Sequence, residues 1–267
     1  PLEMKAYNGS SVPVKEMKVI GTATYIHFIV DDHLISEHGV IQPWPAPKET
    51  TPRQQMEERA QSYEPFVRQS DGSFLLKSGD YILTKDLFFP EGSAILIQPG
   101  VNLNMMNNAA IIGQGPLDIA GTATQPVRIY SDDHSGQGIT VLQAQSASSL
   151  QHVTFENLTT LNKNGWTLTG AVNFYESNVE ISHCAFVSNH CEDALNTIRC
   201  EFKVQHCRFE QIFSDAFDSD FCQGELLSST FYNIGNDAID FSGSHAAIRD
   251  VSIETCGDKG ISGGEAS

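Results

Sequence analysis

Between Asn178 and Ser267 one pattern of residues occurs four times, and that repeat restricts the chain to very few folds. Phe186, Phe209, Phe231 and Ile253 are separated by 23, 22 and 22 residues. They close the lines VEISHCAF, FKVQHCRF, GELLSSTF and AAIRDVSI, each followed after a turn by DALNTIR, DAFDSDF, DAIDFSG or KGISGGE. A fixed period of this length marks a solenoid, whose repeats bury their apolar faces only by stacking on one another. Within each repeat the apolar residues lie two apart, as on a strand, and the phase shifts once. Phe202 and Val204 share one face; after Gln205 and His206, Cys207 and Phe209 resume it. A third strand follows the turn, with Leu195, Phe217, Ile239 and Ile261 in register. Three short strands and their bends use up the period, so no packed helix fits. Leucine-rich repeats share the length but need recurring leucines, where this column is Phe, Val, Ile and Cys. The chain reads as mainly β, a parallel β-helix with strands ~4.8 Å apart along its axis.

Upstream the text changes. Residues 1–50 include ATYIHFIVDDHLISEHGVIQPW, in which His27, Ile29 and Asp31 alternate with Ile26, Phe28 and Val30. This predicts a hairpin or small sheet, of the kind that ends a preceding module. After the proline-rich PWPAPKETTP, residues Thr51, Pro52 and Gln54 form a helix start, with Met56, Ala60 and Tyr63 on one face. Residues 51–77 are therefore expected to be a capping helix and linker, and residues 78–267 the coil. The abrupt stop at GISGGEAS, in the middle of a coil, reads as a piece cut from a longer protein with further domains.

Composition narrows the partners. With a formal net charge of −17, nucleic acid and anionic membrane surfaces are disfavoured. The longest apolar runs are too short to span a bilayer. Six cysteines include no Cys-x-x-Cys pair, which gives no zinc spacing. Cys184 lies one repeat below Cys207 and Cys200 one below Cys222, as buried rungs of a ladder would.

The segments ILIQPGVNLNM (Ile95–Met105), GPLDIAGTATQPVRIYSDD (Gly115–Asp133) and GQGITVL (Gly136–Leu142) look like the opening coils of right-handed parallel β-helix proteins of the pectate-lyase-like superfamily. With the repeats, the resemblance covers about residues 78–267. It implies a right-handed coil and a polysaccharide or other glycan as partner. It does not fix an activity, because that superfamily includes lyases, glycoside hydrolases, epimerases and inert stalks. Polygalacturonase-like hydrolases carry Gly-His-Gly and Arg-Ile-Lys pieces. Here the nearest text is SGSHAAIRD, which leaves His245 and Arg249 in other contexts.

Two acidic columns are the candidates for chemistry. Asp193, Asp215 and Asp237 precede the third strand, followed by Lys259. In turns, Asp and Asn cap local amides. Three residues on come Asn196, Asp218, Asp240 and Ser262, with Asp220 facing the same outer side as Asp218. Like charges ~5 Å apart at an effective dielectric of 20 cost about 3 kcal/mol per pair, unless a raised pKa, a cation or hydrogen bonds offset it. Asp218, Asp220 and Asp240 are therefore solvated acids or catalytic carboxylates. Asp215, Asp218, Asp237 and Asp240 are the candidate ligands for calcium, whose hard oxygen ligands such carboxylates would supply. An insertion, TTLNKNGWTL, carries Trp166, which together with Asn196, Arg199 and Lys259 is a candidate for sugar contact. His183 and His206 stack one above the other and read as surface rungs. The leading expectation is a β-helix scaffold or carbohydrate-contacting module of a larger secreted or surface protein, hence extracellular. The alternative is a polysaccharide lyase or glycoside hydrolase.

Overall fold

A computed structural model describes residues 62–163 and 165–264, together with the backbone of five short strands nearer the N-terminus. The chain divides into two units, Pro1–Gln55 and Met56–Ser267. In the first, Glu3–Lys5 pairs antiparallel with Ser11–Pro13, and Met17–Lys18, His27–Val30 and His33–Ile35 form an antiparallel sheet. The expected capping helix lies mostly outside the described residues; among those described there is no helix.

The second unit is a right-handed parallel β-solenoid built from three sheets of nine, eight and eight strands. Each coil contributes one strand to each sheet in turn, so neighbours in a sheet are one coil apart in sequence. The register is the one the repeat predicts. Phe186 pairs with Phe209, Phe209 with Phe231 and Phe231 with Ile253. On the third sheet Leu195 pairs with Phe217, Phe217 with Ile239 and Ile239 with Ile261.

The phase shift seen in the sequence is a corner. His152, His183, His206, Ser228 and Asp250 all have φ between 47° and 54°. A single left-handed residue turns the chain between the first and second sheets without breaking either ladder. Asn157, Ser188, Gln211, Asn233 and Thr255 do the same at the next corner, and Gln143, Glu176, Arg199, Phe221 and Gly243 at the third. Glycine suits position 243 for two reasons: its φ is +63°, and an added Cβ would meet the Phe221 ring at 2.6 Å.

The cysteines belong next to these corners. The Cys222 thiol accepts a bond from the Cys200 amide, and Ser244 Oγ accepts one from the Cys222 amide at 2.9 Å. Ser229 Oγ takes the Cys207 amide in the same way. Cysteine and serine thus alternate in one role, tying each corner to the next coil.

The core is a prism of like on like. Phe155, Phe186, Phe209 and Phe231 stack with centroids 5.1, 4.7 and 4.6 Å apart, and all are buried. At the start of the coil, Val67–Arg68 pairs antiparallel with Phe74–Leu76. Tyr63 and Phe66 lie on Phe74 and Phe89, with Tyr63 4.2 Å from Phe74. This short segment covers the first apolar rung.

Phe209 has aromatic neighbours above and below, so Phe209→Ala removes contacts on both sides. It is expected to cost about 3–5 kcal/mol, whereas Tyr232→Ala, on the half-exposed outer face, should cost under about 1 kcal/mol. Urea denaturation of the two variants measures the difference; equal costs would mean that the phenylalanine stack is not what holds the coils together.

Candidate functional site

The outer face of the third sheet changes character along the axis. In register it carries Ile112, Thr140, Asn173, Asn196, Asp218, Asp240 and Ser262. The apolar start is covered. The insertion folds as an antiparallel hairpin, Leu161–Lys163 against Trp166–Leu168, and buries Leu161 on Ala110 and Ile112. Lys163 anchors it with an ion pair to Asp86 at 2.8 Å and a hydrogen bond to the Asn108 carbonyl. The hairpin tip therefore lies back over earlier coils, and Trp166, 39% exposed, is held there rather than over Asp218. Only the hairpin base reaches the acidic stretch, where Thr169 Oγ1 accepts a bond from Asn196 Nδ2 at 2.6 Å.

In two successive coils the turn residue touches the strand residue three positions on, and the chemistry of that contact differs between them. In the inserted coil, Asn173 Oδ1 accepts the Gly170 amide at 2.9 Å while its Nδ2 reaches Thr140 and the Gly170 carbonyl. One coil later, Asn196 Nδ2 donates to Asp193 Oδ2 at 2.8 Å and to Asp218 Oδ2 at 3.5 Å. Asn196 is 2% exposed, and its Oδ1 has no hydrogen-bond partner. In the next two coils both positions hold carboxylates, Asp215 and Asp218 in one and Asp237 and Asp240 in the other.

Two of the three turn acids cap amides, but those of the following coil rather than local ones, while Asp193 is bonded instead by the side chains of Asn196 and Thr169. Asp215 Oδ1 accepts the Asp237 amide and Asn236 Nδ2, and Asp237 Oδ1 accepts the Lys259 amide at 2.7 Å. Lys259 Nζ lies 3.4 Å from Asp237, so this lysine neutralises a turn acid. Arg199 stands at the third corner. Its guanidinium reaches the Tyr175 hydroxyl at 3.1 Å, pairs with Glu176 and lies over the Phe221 ring. Among the described residues no ion pair reaches Asp218, Asp220 or Asp240.

That imbalance appears in the acidities. Burial, and then the charges of Asp193, Asp220 and Asp240, push Asp218 up to about 8. Burial pushes Asp193 up to about 7 against the hydrogen bonds from Thr169 and Asn196. Asp215 and Asp220 are raised by burial first and then by neighbouring acids. The fold answers the crowding with protons.

The four candidate calcium ligands do not fit a metal cage as they stand. Asp215 and Asp237 have oxygens committed to turn amides, and among the described residues no group of three or more His, Cys, Asp or Glu side chains converges as metal ligands would. Two residues that the sequence reading passed over frame the acidic strand: Phe213 precedes it and Phe221 follows it, 68% and 64% exposed. Each stands at a corner where the preceding coil has a polar residue, His190 or Arg199, and that break in the repeat was their signal. No protein-family model, no curated protein and no solved structure matches the chain.

Because Asp193 and Asp218 have raised pKa values, the folded chain holds their protons more tightly than the unfolded chain does. Their stabilising contribution is complete below the ordinary carboxylate pKa and is lost as pH rises through about 7 to about 8. The urea midpoint should fall over that window, and Asp218→Asn should flatten the fall and stabilise the chain at pH 8 by about 1–2 kcal/mol. Parallel pH profiles for the two proteins would remove Asp218 as the cause.

Proposed function

We propose that the coil is a carbohydrate-contacting scaffold module of a larger secreted or surface protein, akin to the pectate-lyase-like superfamily, with its ligand face around Asp218 on the third sheet. The observation that carries this reading is that Asp218, Asp220 and Asp240 crowd an outer face with no basic partner among the described residues. A hydroxyl-rich ligand suits such a face: sugar hydroxyls donate to carboxylates, and a protonated Asp218 donates back. Phe213 and Phe221 offer exposed rings at the two ends of the strand for stacking on sugar rings. The net charge of −17 favours neutral glycans over polyuronates.

A second reading has one observation in its favour. A carboxyl held protonated to about pH 8 beside neighbouring carboxylates is the acid–base arrangement of glycosidic bond hydrolysis. The two readings separate on a panel of neutral and acidic glycans, with and without added calcium, followed by calorimetry, reducing-end release and absorbance at 235 nm. Binding without turnover, weakened about tenfold or more in Asp218→Asn and Phe213→Ala, is the expected result. Product release lost in Asp218→Asn would establish the enzyme instead. Silence across the panel in every assay would end both.

A further inference from the structure

The corner between the first and second sheets holds a second concentration of titratable groups, of opposite tendency to the acidic strand. His152, His183 and His206 occupy the same corner position in three successive coils. Their rings stack 4.8 and 4.9 Å apart at 8° and 11°. They edge a surface hollow of about 290 Å³, lined also by Thr154, Ala185 and Arg208. The hollow follows from the register of the outer column, which runs Arg128, Thr154, Ala185, Arg208. Two small side chains lie between two arginines, and the space they leave is open to the imidazoles. Among the described residues no carboxylate lines it, in a chain whose acids outnumber its bases by 33 to 16.

The groups around the hollow define what it can hold. Arg128 is paired with Glu156 and stacked on Tyr130, so it is engaged. Arg208 is paired with Glu210 on its own strand but remains half-exposed. On the first sheet, Lys203 faces Glu180 and Glu225, and forms a loose pair with Glu225. Further along the corner come Ser228 and then Asp250. The Cys184 thiol in the wall is buried and held neutral, its pKa raised by that burial. Stacked parallel imidazoles do not aim their ring nitrogens at one point, so the ladder does not make a tetrahedral metal site. What it presents is a row of N–H edges beside a guanidinium.

We propose that this hollow binds a small oxyanion, gripped by the His152, His183 and His206 edges and by Arg208, and that binding draws protons from solvent onto the imidazoles. Neighbouring rings this close repel one another when charged, and His183, between the other two, is lowered by burial and by both neighbours. An anion lying across the ladder offsets that repulsion. Affinity then rises as pH falls through the imidazole range, and by linkage the bound anion raises the imidazole pKa values.

Sulfate is the suitable probe, because its own charge stays constant over the range examined; glucuronate in parallel distinguishes a free inorganic dianion from a carboxylate carried on a sugar. Imidazole resonances of the whole chain are followed by NMR at constant ionic strength, at about pH 5.5 and about pH 8. The expected result is saturable shifts confined to His152, His183 and His206, with affinity at least about tenfold tighter at the lower pH. Calorimetry in buffers of different ionisation enthalpy should show proton uptake. His183→Asn, which keeps a residue tolerant of the left-handed corner, and the exposed change Arg208→Gln should each weaken binding about tenfold while leaving the thermal midpoint unchanged. Should His183→Asn disturb the corner, Arg208→Gln and the wild-type titration decide alone. Absence of saturable shifts with both anions, or equal affinity at both pH values, overturns the proposal.

Discussion

One constraint governs this molecule: each side chain must tolerate a near-copy of its environment ~4.8 Å away along the axis. A coil that advances by one strand spacing and turns on single left-handed residues cannot offset its rungs. Every column is therefore a repeated experiment in stacking like on like, and the outcome depends on the chemistry of the residue. For phenylalanine the outcome favours the fold. Rings 4.6 Å apart and nearly parallel, as Phe209 and Phe231 are, combine burial with ring contact. For cysteine and serine the column becomes a chain of amide-to-side-chain bonds that pins each corner. For aspartate and histidine the same geometry forces like charges together, and the protein resolves this by keeping protons on some acids and off some imidazoles.

The architecture was legible because the repeat states it directly. Phe186, Phe209 and Phe231 gave the period, and the break at Gln205–His206 marked the corner now seen at His206. The turn role of Asp215 and Asp237 was legible only in part: each does cap an amide, but one in the following coil rather than in its own turn. What the repeat could not reveal was anything decided between distant coils. Leu161 and Lys163 stand in an insertion with no counterpart, and their partners, Ile112 and Asp86, are about fifty or more residues earlier in the chain. Nothing in the local text says that the hairpin folds back over the start of the sheet and takes Trp166 with it. Asn196 was read as an outward polar residue, yet it is buried between Asp193 and Asp218, with Thr169 at the hairpin base completing its surroundings.

The two ionisable ladders follow from the same cause but differ in exposure. Asp218 is half-buried behind the hairpin base and is enclosed by other acids, so its charge is opposed from several sides at once. The imidazoles project at a corner, where water already reaches their edges, and the charge of His183 is opposed by partial burial and then by its two neighbours. A ligand at the first site must supply donors or accept a proton's hydrogen bond; a ligand at the second must supply negative charge. A solenoid can keep such opposite preferences on separate faces of one prism without either disturbing the other. The corners fix which column faces which way, and the core between them is apolar and continuous.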